Sequence, residues 1–214
     1  YSDRSELHVK KNLIVKTLLA TILATNILAI GSNVSAAQIK KRVRLGGKNR
    51  FETAVEISKE FERGDKIQNV LICSNMAWAD AMSSSPLSAY KNAPILLTEK
   101  NKLTPETKQR LKEMKSVKNI IILGGEGIIS NKVFLELKAM KFNVERIGGK
   151  DRYETNLKMM NKIPNNIYGP KPKIVNGMDF NQVLSLALDA KMPQPDGTIF
   201  INPIFLVQPN ATKE

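Results

Sequence analysis

The chain repeats one stretch of its own sequence at a fixed distance. "RLGGKNRFET", from Arg44 to Thr53, returns as "RIGGKDRYET", from Arg146 to Thr155. Seven of the ten positions are identical, and the offset is 102 residues throughout. A stretch of about 100 residues is enough for a small α/β core of its own. The repeat therefore predicts two copies of a whole domain rather than the short units of a solenoid.

Apolar runs and helical patterns alternate between the two copies. Apolar runs typical of buried strands cover 69–74, 93–98 and 119–125, the last ending on two glycines. Helical patterns cover 51–61, 76–90, 103–114 and 130–141. Pro86 is expected to kink or restart the second helix, and Thr104 and Ser130 are expected to cap the third and fourth. Strands of this kind, joined by helices, predict a three-layer α/β fold with a mostly parallel sheet covered on both faces.

The second copy follows the first only in part. Residues 173–190 align with 71–88 at the same offset, and "PIFLV" at 203–207 resembles "PILLT" at 94–98 with the offset grown to 109. We therefore predict one complete copy over residues 42–145 and a partial copy over residues 146–214. We interpret the partial copy as a truncated reading frame, a fragment or a half-domain completed by a partner, because a half sheet with an open edge is a poor independent fold.

The first 36 residues have the pattern of a secretory signal peptide. Lys10 and Lys11 precede an apolar run at 17–30, and Val34 and Ala36 occupy the small positions of a cleavage site. The run is too short and too polar for a good membrane span, so no stable span is expected after cleavage. Our hypothesis for residues 1–8 is that they are upstream sequence, translated ahead of a misread start codon.

The counts of two residue types exclude several functions. Cys73 is the only cysteine, which excludes an intrachain disulfide, and His8, the only histidine, lies in the predicted signal peptide. A mature chain without histidine has neither a Ser-His-Asp or Cys-His catalytic site nor a His-bearing zinc site. We expect no enzyme activity, no metal and no other cofactor. The net charge of +13 favours an anionic partner, with a lysine-rich solvated surface as the alternative.

The motifs, taken in order, are more specific than any one of them alone. "RLGGKNRFETAVEIS", "MAWADAMSSSPLSAYKNAPILLT", "NIIILGGEGIIS" and "RIGGKDRYET" together resemble the cell wall binding repeat 2 family of Gram-positive bacteria, from about Val43 to the C-terminus. The resemblance implies a Toprim-like fold, usually present as three tandem repeats packed around a pseudo-threefold axis. It also implies noncovalent attachment of surface proteins to an anionic secondary wall polymer, such as a wall polysaccharide or a teichoic-acid-like polymer.

By this resemblance the chain is expected to be a secreted, non-catalytic anchoring module at the cell wall and cell surface. The alternative is the anchor fragment of a cell-wall hydrolase, such as an amidase, whose catalytic domain lies outside this chain. A homo-oligomer with trimer-like packing would replace missing repeats. Nucleic-acid binding is suggested by charge alone, and the signal peptide and the lack of an aromatic and basic RNA motif argue against it.

Eight residues are candidates for polymer binding because they are basic or polar and lie in the repeated turns or after a strand: Arg44, Lys48, Arg50, Asn75, Asp80, Arg146, Lys150 and Arg152. In the turns, side-chain charge and backbone N–H groups at the following helix start both favour an anion. The alternative for Arg50 and Arg152 is structural pairing with carboxylates such as Glu52, Asp80 or Glu154.

Other polar and aromatic residues near strand ends have two interpretations each. Asp80 is a candidate to hold a sugar hydroxyl or to orient Arg50, and the alternative is a cap-region acid that supports its helix. Trp78 is a candidate to stack on a sugar, and the alternative is core packing. The loop 124–130 lacks the residues of a phosphate-binding loop and is interpreted as a tight turn, and Cys73 as a core residue.

Overall fold

The computed structural model describes residues 44–63 and 66–209, so the predicted signal peptide lies outside the described residues. The strands in this part are β1 (Asn69–Ser74), β2 (Ile95–Thr98), β3 (Asn119–Leu123), β4 (Asn143–Ile147), β5 (Lys173–Asn176), β6 (Lys191–Pro193), β7 (Ile199–Ile201) and β8 (Ile204–Val207). The helices are α1 (Arg50–Phe61), α2 (Trp78–Ser83), α3 (Ser85–Lys91), α4 (Pro105–Glu113), α5 (Asn131–Ala139), α6 (Arg152–Met160) and α7 (Phe180–Ala187). Within these ranges, no helix has the length and apolar character needed to cross a membrane.

The main sheet has four strands in the order β2-β1-β3-β4, and every neighbouring pair is parallel. Alternate residues of β1 enter two separate clusters: Ile72 packs on one face of the sheet, and Leu71 and Cys73 pack on the other. All three side chains are fully buried, which explains why the strand is a continuous apolar run. The predicted mixed α/β class, the parallel sheet and the core position of Cys73 are confirmed.

Strand β4 was missed by the sequence analysis. Its sequence "NVERI" alternates polar and apolar side chains, and only Val144 and Ile147 are buried. It pairs with β3 alone and forms one edge of the sheet. An edge strand of this kind gives no continuous apolar run, so the pattern used to find the central strands does not detect it.

The proline and cap predictions had mixed outcomes. Helix α2 ends at Ser83, and α3 begins at Ser85 with Pro86 in its first turn, so the proline restarts the helix as expected. Thr104 and Ser130 stand at the N-cap positions of α4 and α5, but neither side chain makes a capping hydrogen bond. The Thr104 hydroxyl instead donates to the Leu97 carbonyl at 3.4 Å, which ties α4 to β2.

In the C-terminal part, β5 and β8 form a parallel pair with the same register as β1 and β2. Leu71 faces Ile95 in the first pair, and Lys173 faces Ile204 in the second, which correspond through the offsets of 102 and 109. The added residues between the two strands form the antiparallel hairpin of β6 and β7. The insertion is therefore absorbed at the surface without changing the pairing of the strands.

A shared apolar cluster joins the two halves of the described chain. The rings of Trp78 and Phe180, which align at the offset of 102, meet edge to face with centroids 5.3 Å apart. Ala79 in α2 belongs to the same buried cluster as Val175 and Val183 in the C-terminal part. Trp78 itself is half-buried and packs against this cluster, which is the packing that one of its two interpretations expects.

Candidate functional site

A cavity of about 390 Å³ lies at the carboxyl edge of the main sheet. Its walls are residues 76–80 after β1, then Gly125, Gly127 and Ile128 after β3, and residues 149–152 with Thr155 after β4. The chain runs from β1 outward to β2 and then crosses over β1 to reach β3, so the strand order reverses between β1 and β3. Loops at such a reversal diverge, which leaves a crevice where open α/β sheets bind their ligands.

The repeated motif folds into two matching turns, the first turn (Gly46–Arg50) and the second turn (Gly148–Arg152). In the first, the backbone N–H of Lys48 donates to the Glu52 carboxylate at 2.6 Å. In the second, the backbone N–H of Lys150 donates to the Glu154 carboxylate at 2.9 Å. In each motif, a glutamate in the first turn of the helix therefore accepts a hydrogen bond from the turn before it, as in a capping box.

Further donors of these turns and helix starts are used in the same way. The N–H of Gly47 donates to Thr53 Oγ1 at 3.1 Å, and that of Gly149 donates to Thr155 Oγ1 at 2.9 Å. The side chain of Asn49 accepts from two N–H groups of α1. The N–H groups of Gly47, Lys48, Gly149 and Lys150 therefore already have acceptors within the motif, and binding of an anion by the turns stays a prediction.

The two motif arginines hold the ends of strands rather than carboxylates. The guanidinium of Arg50 donates to the Asn75 carbonyl at 2.9 Å, and that of Arg152 donates to the Gly177 carbonyl at 3.0 Å. Asn75 follows β1 and Gly177 follows β5. The two arginines are 102 residues apart, and so are the two acceptors. Neither arginine forms an ion pair with Glu52 or Glu154 among the described residues, whereas the charge of Arg152 does act on Asp80.

Arg152 also reaches across to the first half of the chain. Its guanidinium lies over the Trp78 ring, 5.3 Å from the centroid, in a cation–π contact. It is also the charge that most lowers the pKa of Asp80. The predicted orientation of Arg50 by Asp80 is not observed: the arginine associated with Asp80 comes from the second turn.

Asp80 is the buried carboxylate of the cavity. Its side chain is 5% exposed, and its Oδ1 has no hydrogen-bond partner among the described residues. Burial raises the pKa of Asp80 to about 6, and Arg152 opposes that rise. Burial also raises the pKa of the Cys73 thiol beneath it, and the Asp80 carboxylate adds to the effect. Asp80 is thus a charged group at neutral pH in a place that disfavours charge.

The other predicted residues lie away from the cavity or serve the backbone. Arg146 donates to the Gly124 carbonyl at 2.9 Å and lies 5.8 Å from the centre of the Phe134 ring. Burial lowers the pKa of its guanidinium. Arg44 and Lys48 are exposed. The structure therefore brings together three of the eight candidates at the cavity, namely Asp80, Lys150 and Arg152.

Two apolar residues of the cavity were missed by the sequence analysis. Met76 is 78% exposed and Ile128 is 40% exposed, and both line the cavity. Both stand in stretches that the sequence analysis assigned to a helix or to a tight turn. A signal for Met76 exists in the repeat itself, because Met178 occupies the equivalent position and is also exposed, at 57%.

A close backbone approach fixes the second turn against the loop after β3. A Cβ atom on Gly148 would lie 2.6 Å from the Gly125 nitrogen and 2.7 Å from the Gly124 carbonyl carbon. No other residue type fits there without a shift of the main chain. The cavity is thus built by two segments in contact, one from each side of the sequence repeat.

Part of the chain is similar to a known family and to known proteins. Residues 44–134 match the family model of cell wall binding domain 2. The N-acetylmuramoyl-L-alanine amidase LytC of Bacillus subtilis (strain 168) is 43% identical over 112 residues, 52% of this chain and 22% of that protein. The amidase enhancer of the same organism is 29% identical over 141 residues, 66% of this chain and 18% of that protein. The chain thus spans about a fifth of the length of these curated relatives.

Two solved structures are similar to the fold as a whole. Cwp8 from Clostridium difficile has a TM-score of 0.67 and 30% sequence identity, over 77% of this chain and 27% of that one. Cwp6 from Clostridium difficile has a TM-score of 0.63 and 33% identity, over 81% of this chain and 27% of that one. The matched region includes both halves of the described chain, because neither half alone amounts to three quarters of it.

Proposed function

We propose, from the premise that residues 44–134 belong to the cell wall binding domain 2 family, that this chain is a non-catalytic module that anchors a secreted protein on the cell wall. It binds an anionic secondary wall polymer noncovalently. The family match over residues 44–134 carries the proposal, since this segment contains Asp80 and two of the three walls of the cavity. The cell wall is the location that the match supports.

The charge of the chain supports an anionic polymer as the partner. The net charge is +13, from 33 lysines and arginines against 20 aspartates and glutamates. Arg44 and Lys48 are exposed and form no ion pair in the described residues, so their charge faces solvent. A surplus of exposed positive charge attracts a polyanion over distances of about 10 Å at 0.1 M salt.

The duplicated motif supports attachment through more than one contact. The proposed arrangement is a complete copy over residues 42–145 with the Toprim-like fold and a partial copy over residues 146–214. A repetitive polymer offers the same group many times, and linked weak sites multiply into tight binding. A trimer-like homo-oligomer would raise the number of such sites further, and size-exclusion chromatography with light scattering tests for it.

Sedimentation with purified cell walls tests the proposed function. The full chain is mixed with walls before and after acid extraction of secondary polymers, across a series of salt concentrations. We expect binding that requires the extracted polymer and weakens as salt rises. Equal binding to extracted walls, or no binding by the folded chain, would overturn the proposal.

A second candidate is that the chain is the anchor portion of a wall hydrolase. The similarity to an N-acetylmuramoyl-L-alanine amidase and to an amidase enhancer favours it, although the chain spans 22% and 18% of them. In this case the binding chemistry is the same, and the cargo is a catalytic domain. Sequencing of the gene and its neighbourhood from genomic DNA would distinguish the two candidates through an adjoining hydrolase domain.

A further inference from the structure

We propose that the amino edge of the main sheet, where its four strands begin, is a surface that binds the charged groups of the anionic wall polymer. This amino-edge surface consists of Asn69, Asn119 and Asn143 together with Lys91, Lys115, Lys118 and Lys141. It lies at the opposite end of the strands from the cavity at the carboxyl edge. The inference rests on the proposed function, because it names the part of the chain that contacts the polymer.

A ladder of asparagine side chains crosses the amino edge. Asn69, Asn119 and Asn143 are the first residues of β1, β3 and β4, and they are aligned by the register of the sheet. The Asn143 amide donates to Asn119 Oδ1 at 3.1 Å, and the Asn119 amide donates to Asn69 Oδ1 at 3.0 Å. The Asn69 amide donates in turn to the Lys91 carbonyl at 2.9 Å. The ladder therefore ties the starts of three strands to the segment that leads into β2.

The ladder leaves hydrogen-bond donors for a ligand. An asparagine amide has two N–H groups, and each of these three amides uses one of them among the described residues. Asn69 and Asn119 are half-buried, and Asn143 is exposed. All three line a cavity of about 220 Å³ together with Lys91. The second N–H group of each amide is thus available to an oxygen of a phosphate or carboxylate at this edge.

Four lysines surround the ladder. Lys118 comes directly before β3, and its carbonyl accepts from the Asn143 N–H at 2.9 Å. Lys141 comes two residues before β4, and Lys115 lies in the turn between α4 and β3. These three are exposed and Lys91 is half-buried. Because neighbouring strands are about 4.8 Å apart, the four strand starts span roughly 14 Å, so these lysines act together on one polymer segment.

The carboxylates near this edge do not cancel the charge of the lysines. None of the four lysines forms an ion pair among the described residues. Glu145 in β4 pairs with Lys162. Glu62 and Glu113 both pair with the buried Arg110. These contacts leave a single carboxylate charge against the four lysines, so the surface favours an anion from outside the chain.

Binding of a model polyanion tests this surface. The full chain is titrated with long-chain sodium polyphosphate, and with dextran as an uncharged polymer, by isothermal titration calorimetry. The edge variant carries Lys115→Gln, Lys118→Gln and Lys141→Gln. The control variant carries Lys100→Gln, Lys102→Gln and Lys132→Gln, at exposed lysines beyond β2 and at the start of α5 that also form no ion pair among the described residues. The two variants have the same net charge.

We expect the edge variant to bind polyphosphate about tenfold more weakly than the parent chain, and the control variant to bind nearly as well as the parent. The edge variant should also show a shallower dependence on salt, because fewer counterions are released on binding. Equal losses in the two variants would mean that net charge alone governs binding, and would overturn the inference. Undiminished binding by the edge variant would overturn it too.

A pair of single charge reversals repeats the test without Lys141, whose backbone is left-handed with a φ of 72°. Lys118→Glu should weaken polyphosphate binding more than Lys132→Glu, although both change the net charge by the same amount. Equal effects of the two reversals would count against the amino edge. Circular dichroism of all four variants verifies that they are folded.

The wall sedimentation assay, run on the same variants, separates the two proposals. If the parent chain and the edge variant bind walls equally, the anchoring function stands and the amino-edge surface is wrong. If polyphosphate binding depends on the edge lysines and walls are not bound, the surface stands and the anchoring function is wrong. Loss of wall binding in the edge variant alone would support both.

Discussion

Replacing Asp80 with asparagine should make the protein more stable at neutral pH. Burial raises the pKa of Asp80 from the ordinary 3.8 to about 6. The folded chain therefore binds this proton more tightly than the unfolded chain does. Protonation of Asp80 favours folding, so this contribution to stability is fully present below about pH 3.8 and is lost as the pH rises towards 6. Asparagine is neutral at every pH, so the variant does not lose this contribution to the free energy of unfolding as the pH rises.

The size of the effect follows from the difference between the two pKa values. A shift from 3.8 to about 6 corresponds to about 3 kcal/mol in the free energy of unfolding. For a protein of this size, that is a rise in Tm of about 6–12 °C at neutral pH. At about pH 3.5 the aspartate is protonated in both states, and the variant and the parent should differ little.

Urea unfolding followed by circular dichroism at about pH 3.5 and about pH 7.5 measures this difference. We expect the gap between the Asp80→Asn variant and the parent chain to widen by about 3 kcal/mol from the acidic to the neutral condition. Glu99→Gln, an exposed carboxylate, is the control and should show no such widening. A gap that stays constant with pH, or a variant less stable than the parent at neutral pH, would refute the reasoning.

Two further predictions concern the contacts of Gly148 and Arg152. Gly148→Ala should destabilise the fold by about 1–3 kcal/mol, because its Cβ would lie 2.6 Å from the backbone nitrogen of Gly125. Gly46→Ala is the control and should be nearly neutral, because nothing among the described residues lies within 4 Å of its Cβ. Equal losses of stability in thermal unfolding would contradict this prediction. Arg152→Gln should raise the pKa of Asp80 above about 6, since Arg152 lowers it, and an unchanged carboxyl titration by NMR would be the contrary result.

The central strands and the repeated turns are the parts of this fold that a sequence can predict. Strand β1 is an unbroken apolar run because both of its faces are buried, so its bounds are visible in the sequence. Strand β4 is an edge with alternating exposure, and its residues look like a connection. Sequence patterns detect the amount of burial, and an edge strand is defined by pairing more than by burial.

The site was predicted less well, for a physical reason. Asp80 and the basic turns were identified as candidates, but the partner named for Asp80 was Arg50, which lies in the same copy of the repeat. In the structure Arg152 acts on Asp80 and Trp78, which lie more than 70 positions earlier in the chain. A repeat tells which residues are equivalent and does not tell which copy supplies the neighbour. Only the packing of one half on the other decides that.

In the part of the chain that the structure describes, the contact at Gly148 is made by only one of the two repeated turns. Gly148 lies against the backbone of Gly124 and Gly125, whereas its counterpart Gly46 meets nothing within 4 Å among the described residues. The two surfaces that meet, the second turn and the loop after β3, are different patches of a repeat unit, so the contact is heterologous. Contacts of this type propagate: they close into a ring if the rotation between modules permits, and otherwise continue as a helical filament.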